Sequence, residues 1–410
     1  MISSIGTYLP CWGTASGRVP GVDEDAITLA VAAGIAALRS VDPNDVHHVV
    51  LVSRQLPLLE GGNSAALLAG LGVSSHVRVS EVSGGAPATL DALTSAAPGT
   101  LVIGTEVTPT AGGAAVFCGA DGPSLTAVDR VTRSMPVATR DAHGRRSDYS
   151  DPRLLRVRGL GESLDQLDQL DQLDQIDQID QAEPIVAAAG LGVRDAASLC
   201  EGKPPALATT GASSTIFAIA ALIEQGSAGR IAAVEQAALS VSTLGTGTTT
   251  IERDERAAQP LPTGEPTPGL DLPISLAAYD RAFDAKLRLE AARCNTCGTL
   301  SYPHRYRCLG CGSEQPTDTV ALPRHGEIYT LATIRVPVPG LISPYTLTLV
   351  ELGASGVRVL VKLTGAAAGS VKIGDTGRLV FRLVATRSGV PDYGYNFLPD
   401  STDINQEVAA

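Results

Sequence analysis

The chain has 410 residues, 44% of them hydrophobic, so it is too long for a single core and too apolar for wholesale disorder. A net charge of -12 and 4% aromatic residues argue against a nucleic-acid partner, which would want a basic face and stacking platforms. No window of the sequence is long and apolar enough to read as a membrane span, and Met1–Pro10 lacks the basic start and apolar core of a leader, so a cytoplasmic protein is expected. The seven cysteines, three of them scattered, fit a reducing compartment better than a disulfide framework.

In chain order, Ile2–Leu9 reads as a strand ended by Pro10. Asp23, Glu24 and Asp25 precede a helix over Ala26–Leu38, whose positive N-terminal dipole suits acids. Strands over 49–52 and 77–82 flank a helix over 63–71, and Gly84-Gly85 leads into a helix over 86–96 with Pro87 in its first turn. Strands over 101–104 and 114–118 follow. The same grammar returns with a strand at 206–208, a helix over 213–225, and strands over 230–234 and 246–252. The alternation implies a layered α/β domain in two halves with mostly parallel strands, over residues 1–254.

Between the halves, residues 164–181 repeat Leu-Asp-Gln four times and Ile-Asp-Gln twice, which accounts for half of the net charge. Steps of three lag a helical turn by about 60°, so these apolar residues smear around the helix and build no buried stripe. The repeat reads as a solvated insertion; the alternative is an acidic contact surface. A Pro/Gly-rich linker then leads to an exposed helix over 276–292, the two together spanning 255–290. Residues 319–400 carry β-rich runs at 326–336, 345–352, 357–363 and 378–385, which suggest a small OB-fold barrel ahead of a tail at 401–410.

The strongest local motif is Cys294-x2-Cys297 and Cys308-x2-Cys311, within 291–318. Four thiolates on two glycine-flanked knuckles can enclose one Zn2+ with no open position, which makes a structural site of the rubredoxin-like zinc-ribbon type. His304, between the pairs, reads as a surface residue.

The segments 5–10, 18–19, 23–31, 79–84 and 112–119, followed by Thr209-Thr-Gly-Ala-Ser-Ser214 and Ala233-Val-Glu-Gln236, together resemble the hydroxymethylglutaryl-CoA synthase and ketoacyl-ACP-synthase branch of the thiolase superfamily. Residues 293–298, 302–303, 308–313, 326–330, 344–345 and 373–374 resemble the zinc-ribbon and OB-fold proteins that partner thiolases. The resemblance implies a thiolase-like fold, acyl-CoA as ligand or substrate, a thiolase or related CoA enzyme as partner, and homo- or hetero-oligomers. It places Gly84, Gly85, Thr209 and Gly211 at the substrate site.

The departures from that family are as informative. Gly84 stands where the family has its cysteine nucleophile, Thr209 where it has an asparagine, and residues 144–303 hold no histidine. Acylation of a cysteine is therefore not expected. Glu81 falls where the family has a general-base glutamate, and Tyr149 is a second candidate; His143 and Asp148 lie in the same joining segment as Tyr149. Three functions stay open: a non-condensing acyl-CoA-binding scaffold or partner, retro-aldol cleavage of a β-hydroxyacyl-CoA, and an acyltransferase with relocated catalytic residues such as Cys11, Cys118 or Cys200.

Overall fold

The computed structural model describes residues 1–141, 145–163, 165–166, 184–262, 264, 273–314, 317–336, 338–339 and 341–400. Nearly all of the triplet repeat, His143 and the tail at 401–410 lie outside them. The chain forms two compact units: residues 1–20 with 29–259, and residues 21–28 with 260–410. The segment 21–28, which the sequence places with the first domain, thus groups with the C-terminal unit. Among the described residues no helix is long and apolar enough to cross a membrane.

The first unit is built on two mixed sheets. The larger holds β1 (Ile2–Leu9), β2 (His48–Val52), β3 (Arg78–Val82), β4 (Thr100–Glu106), β5 (Gly112–Cys118) and β10 (Thr250–Glu255), in the order β10-β1-β5-β4-β2-β3. The smaller holds β6 (Leu125–Thr132), β7 (Ile185–Ala189), β8 (Gly229–Val234) and β9 (Ala238–Leu244), in the order β7-β8-β9-β6. Helices α3 (Ala86–Thr94) and α4 (Ser214–Glu224) lie between them, and one apolar cluster joins Ile5, Val102 and Val116 of the larger sheet, Leu93 of α3, Ile216 and Ile219 of α4, and Ile231 and Leu244 of the smaller sheet. Helices α1 (Ala26–Ala37) and α2 (Ser64–Leu71) precede α3 in the chain. β1, β4 and β5 are apolar and almost wholly buried, as strands covered on both faces must be.

Three expectations change here. The strands are not mostly parallel: β1–β5, β5–β4, β8–β9 and β9–β6 pair antiparallel. Residues 206–208 form no strand; the strand of this half that follows the repeat in the chain is β7, at one edge of the smaller sheet. The run at 246–252 is displaced, because β9 ends at Leu244 and β10 begins at Thr250.

In the second unit, α5 (Leu276–Phe283) passes into a π-helical stretch over Asp284–Arg288, so the helix ends four residues short of the 276–292 expected. Leu289 takes a left-handed backbone (φ 55°), and β11 (Glu290–Cys294) follows at once, pairing with β12 (Leu300–Ser301) and β13 (Thr317–Ala321). The ribbon needs those residues extended, and sheet pairing overrides a helical composition. Beyond it, β14 (His325–Ile334), β15 (Tyr345–Leu352), β16 (Arg358–Lys362), β17 (Thr376–Arg387) and β18 (Val390–Pro399) form an all-antiparallel sheet in the order β16-β15-β14-β17-β18. A bridge between Leu363 and Phe397 brings the end after β16 back to β18, as closure of a small barrel requires.

A buried ionic cluster holds the segment 21–28 on this barrel. Arg382 of β17 is 3% exposed and faces Glu24 at 3.0 Å and Asp23 at 3.9 Å. Asn396 donates to Asp23 at 2.7 Å, and the Tyr393 hydroxyl donates to Asp25 at 2.7 Å. Removing one member of such a cluster strands buried charge, which costs about 3–5 kcal/mol, whereas a half-exposed pair contributes about 1 kcal/mol or less. Arg382→Met should therefore lower the calorimetric Tm much further than Arg387→Met, whose partner Asp392 is also paired with Lys286. Equal shifts would show that the cluster does not hold the segment.

Candidate functional site

A cavity of about 240 Å3 opens in the first unit where four chain turns converge. Gly84 and Gly85 bring in the start of α3, Thr210 to Ala212 the start of α4, Arg54 and Gln55 the loop after β2, and Glu235 and Gln236 the turn between β8 and β9. These are ends of elements from both halves. Each half alone would leave them on an open surface.

One buried carboxylate sets the α4 wall. Glu106, at the end of β4, accepts hydrogen bonds from Gly211 N (3.2 Å), Ser213 N (2.9 Å) and Ser213 Oγ (2.9 Å). Thr209 Oγ1 lies 2.8 Å from Ser213 Oγ and completes the network. Gly104 lets β4 pass close beneath: a Cβ there would stand 2.5 Å from the Ala212 carbonyl oxygen. Burial raises the Glu106 carboxyl above the ordinary carboxylate value, against the lowering effect of its donors.

The opposite wall carries an ion pair. Glu235 pairs through Oε2 with Arg54 Nη2, and its side chain is 13% exposed. Burial raises this carboxyl, while Arg54 and the Ala86 amide at the start of α3 act the other way. Glu235 Oε1 is buried without a hydrogen-bond partner. The backbone of Arg54 is held in turn: its carbonyl accepts from Arg140 (3.2 Å) and Arg146 (3.0 Å), which belong to a hairpin over Ala138–Arg140 and Arg146–Asp148. Gln236 donates to the carbonyls of Pro136 (2.6 Å) and Tyr149 (3.1 Å), fixing the rim.

The structure brings Gly84, Gly85 and Gly211 together at the cavity, with Thr209 one step behind in the Glu106 network. It does not bring in Glu81. That side chain is exposed and accepts from Asn63 N (2.6 Å) and Asn63 Nδ2 (2.9 Å), so it fixes the residue before α2. The Tyr149 side chain is 51% exposed and does not line the cavity; Asp148 does. The acids in the wall that sequence reasoning missed are Glu106, Asp151 and Glu235, and Asp151 is taken up by Arg153. A signal existed for Glu235, a Glu-Gln pair between two apolar strands. Cys118 and Cys200 lie outside the wall, and burial pushes both thiols up to about 11. Among the described residues, the cavity wall holds neither a cysteine nor a histidine.

In the second unit, the sulfurs of Cys294, Cys297, Cys308 and Cys311 all lie within 4.8 Å of one another. Cys294 and Cys311 are 3.8 Å apart, and Cys297 and Cys308 are 3.6 Å apart. Zn–S bonds of about 2.3 Å in a tetrahedron put sulfurs about 3.8 Å apart, so the four thiols fit Zn2+ as they stand. Gly298 and Gly312 supply the positive φ of the two knuckles. The Thr299 hydroxyl and amide beside Cys297 hold that thiol down to about 6, whereas the neighbouring thiols push Cys311 up to about 12. His304 meets Thr317 instead, at 3.0 Å.

Residues 284–317 match the family model described as the ChsH2 rubredoxin-like zinc ribbon domain, and residues 319–382 match that of the ChsH2 C-terminal OB-fold domain. A DUF35 domain-containing scaffold protein of Methanothermobacter thermautotrophicus is 29% identical over 123 residues, which is 29% of this chain and 92% of that protein. The benzoylsuccinyl-CoA thiolase subunit BbsA of Thauera aromatica is 31% identical over 110 residues, 27% of this chain and 74% of that protein. A solved 3-oxoacyl-[acyl-carrier-protein] synthase III from Aquifex aeolicus is similar at a TM-score of 0.47 and 16% identity, covering 60% of this chain and 99% of that one.

The Glu106 network yields a test. Its folded carboxyl titrates above the unfolded value, so its stabilising contribution is complete below the unfolded value and is lost as pH rises through the folded one. Glu106→Gln, a neutral mimic, should flatten that loss with rising pH in urea unfolding. Glu106→Ala, which orphans the Gly211 and Ser213 amides, should cost about 1–3 kcal/mol per orphaned group. A Glu106→Gln curve parallel to the parent's would exclude a raised carboxyl.

Proposed function

We propose that this chain, which belongs to the ChsH2-type family of zinc-ribbon and OB-fold proteins, is a thiolase-like component of acyl-CoA metabolism that binds an acyl-CoA without being acylated by it. The observation that carries this reading is the cavity. It lies between the starts of α3 and α4, where thiolase-like enzymes do their chemistry, yet its described wall lacks the cysteine and histidine that acyl transfer requires. The names of the relatives support a partnership: one is a scaffold protein and another a thiolase subunit. On this reading the chain presents acyl-CoA to a catalytic thiolase or related CoA enzyme, and its ribbon and barrel are the scaffold part.

Zinc belongs to the same reading. Cys294, Cys297, Cys308 and Cys311 would hold one Zn2+, closing a segment too small to have a core of its own. The ion would supply folding energy, and four sulfurs leave it no open position for substrate.

The acyltransferase alternative has little to work with, since thiols raised to about 11 are poor nucleophiles and neither Cys118 nor Cys200 reaches the cavity. Retro-aldol cleavage by Glu81 or Tyr149 fares no better, because neither side chain lines it.

Calorimetric titration of the full chain with free CoA, acetyl-CoA and butyryl-CoA tests the reading. Binding should tighten with the acyl group, and thiol release should stay at background. A burst of free CoA would indicate acylation and overturn it, as would failure to bind any acyl-CoA. Metal analysis should return about one zinc per chain. Cys297→Ser should lower that content and shift the ribbon's unfolding to lower temperature.

A further inference from the structure

The pairing of Glu235 with Gly85 goes beyond the reading above. A Cβ on Gly85 would fall inside contact distance of Glu235 Oε1 and 3.0 Å from Arg54 Nη2. A Cβ on Gly84 would collide with the Cβ of Ala88. Gly85 cannot carry a side chain while Glu235 stands where it does, and Gly84 cannot because of Ala88 in the first turn of α3. The carboxyl occupies the space a residue at the start of α3 would project into, and Arg54 holds it there through Oε2.

The remaining geometry indicates what the carboxyl can do. Oε2 is committed to Arg54, and Oε1 is left without a hydrogen-bond partner. An unsatisfied buried carboxylate oxygen is costly, and such groups mark sites where a ligand completes the set. The Ala86 amide at the start of α3 acts on the Glu235 carboxyl and Pro87 has no N–H, so what the helix start offers a ligand oxygen beside that carboxyl is its positive dipole. A base and an oxyanion-stabilising helix end, side by side in one cavity, are the two parts that proton abstraction next to a carbonyl requires.

We infer that Glu235 is the proton-transferring residue of the cavity, acting on the carbon next to the carbonyl of a bound acyl thioester, and that Gly85 is the residue that makes room for it. The inference rests on acyl-CoA being the ligand. In the step, the carboxylate takes the α-proton, and the C–H electron pair moves into an enolate whose oxygen lies at the start of α3. The same carboxyl then returns a proton to the α-carbon. Nothing is consumed, and in heavy water the returned proton becomes a deuteron.

The experiment uses the full chain in heavy water with butyryl-CoA. Deuterium entering the α-carbon is read by mass spectrometry, and butyryl-CoA binding is titrated alongside. The parent should exchange the α-protons, and Glu235→Gln should slow exchange by about a hundredfold or more, the usual effect of removing a general base. Binding without exchange, or equal exchange by Glu235→Gln, overturns the role of Glu235 and leaves the acyl-CoA reading standing. Absence of binding overturns both. Fit is read separately, by thermal unfolding without ligand. Gly85→Ala should lower the Tm of the parent clearly, and that of Glu235→Ala by much less. Equal losses in the two backgrounds would show that Gly85 does not make room for Glu235, and would overturn that half of the inference.

Discussion

The first unit's site depends on one buried carboxylate. Glu106 ends β4 in the larger sheet, and its bonds to Gly211 N and Ser213 take hold of the start of α4, more than a hundred residues later in the chain. A helix start leaves several amides without partners. In α4 the Ser213 side chain does not cap them; Glu106 instead takes the amides of Gly211 and Ser213 in the turn just before the helix. The bond thereby fixes one wall of the cavity to the sheet that carries the other half of the core. A buried carboxylate is costly without such donors, and the amides are costly without an acceptor, so each component keeps the other in place.

The second acid obeys a different logic. Glu235 has one strong partner and one open oxygen, and it sits beside a helix start that also lacks a side-chain cap. The two carboxyls therefore differ in what they leave unsatisfied. Glu106 is fully used by the fold. Glu235 is held by a guanidinium whose own backbone is fixed by Arg140 and Arg146, which keeps the carboxyl in place while one oxygen stays available. That asymmetry separates a structural acid from a candidate chemical one, and burial alone would not have told them apart.

Much of this was legible from residues near one another in the chain. The cysteine knuckles could be read because both members of each pair, their glycines and their spacing lie within a few residues. β5 and α4 could be read because buried elements announce themselves by apolar runs, and α3 because a double glycine and Pro87 mark its start. What failed depends on distant partners. The helical composition of 276–292 runs on through Arg288, and only pairing with β13, some thirty residues on, makes Glu290–Ala292 a strand. β7 follows the repeat in the chain, and its strand identity rests on pairing with β8. Glu81 matched a family position by sequence, but Asn63, eighteen residues earlier, claims its side chain. Glu235 stands out in the sequence only as part of the motif Ala233-Val-Glu-Gln236, since nothing local shows that a turn residue will be buried against α3.

The acidic triplet 23–25 shows how a correct local reading can still be incomplete. Asp25 does what its position before α1 suggests: its Oδ1 accepts from the amides of Ile27 (3.1 Å) and Thr28 (2.9 Å). Yet its other oxygen takes the Tyr393 hydroxyl, and Asp23 and Glu24 serve Arg382 and Asn396, all more than 350 residues away. The helix dipole would be satisfied by any one acid, and three in a row exceed what capping requires. The surplus is explained by Arg382, a guanidinium 3% exposed in the middle of a barrel strand, which needs more than one carboxylate to offset its desolvation. A run of charge larger than its local task is thus itself a sequence signal. It points to a buried partner of opposite sign elsewhere in the chain.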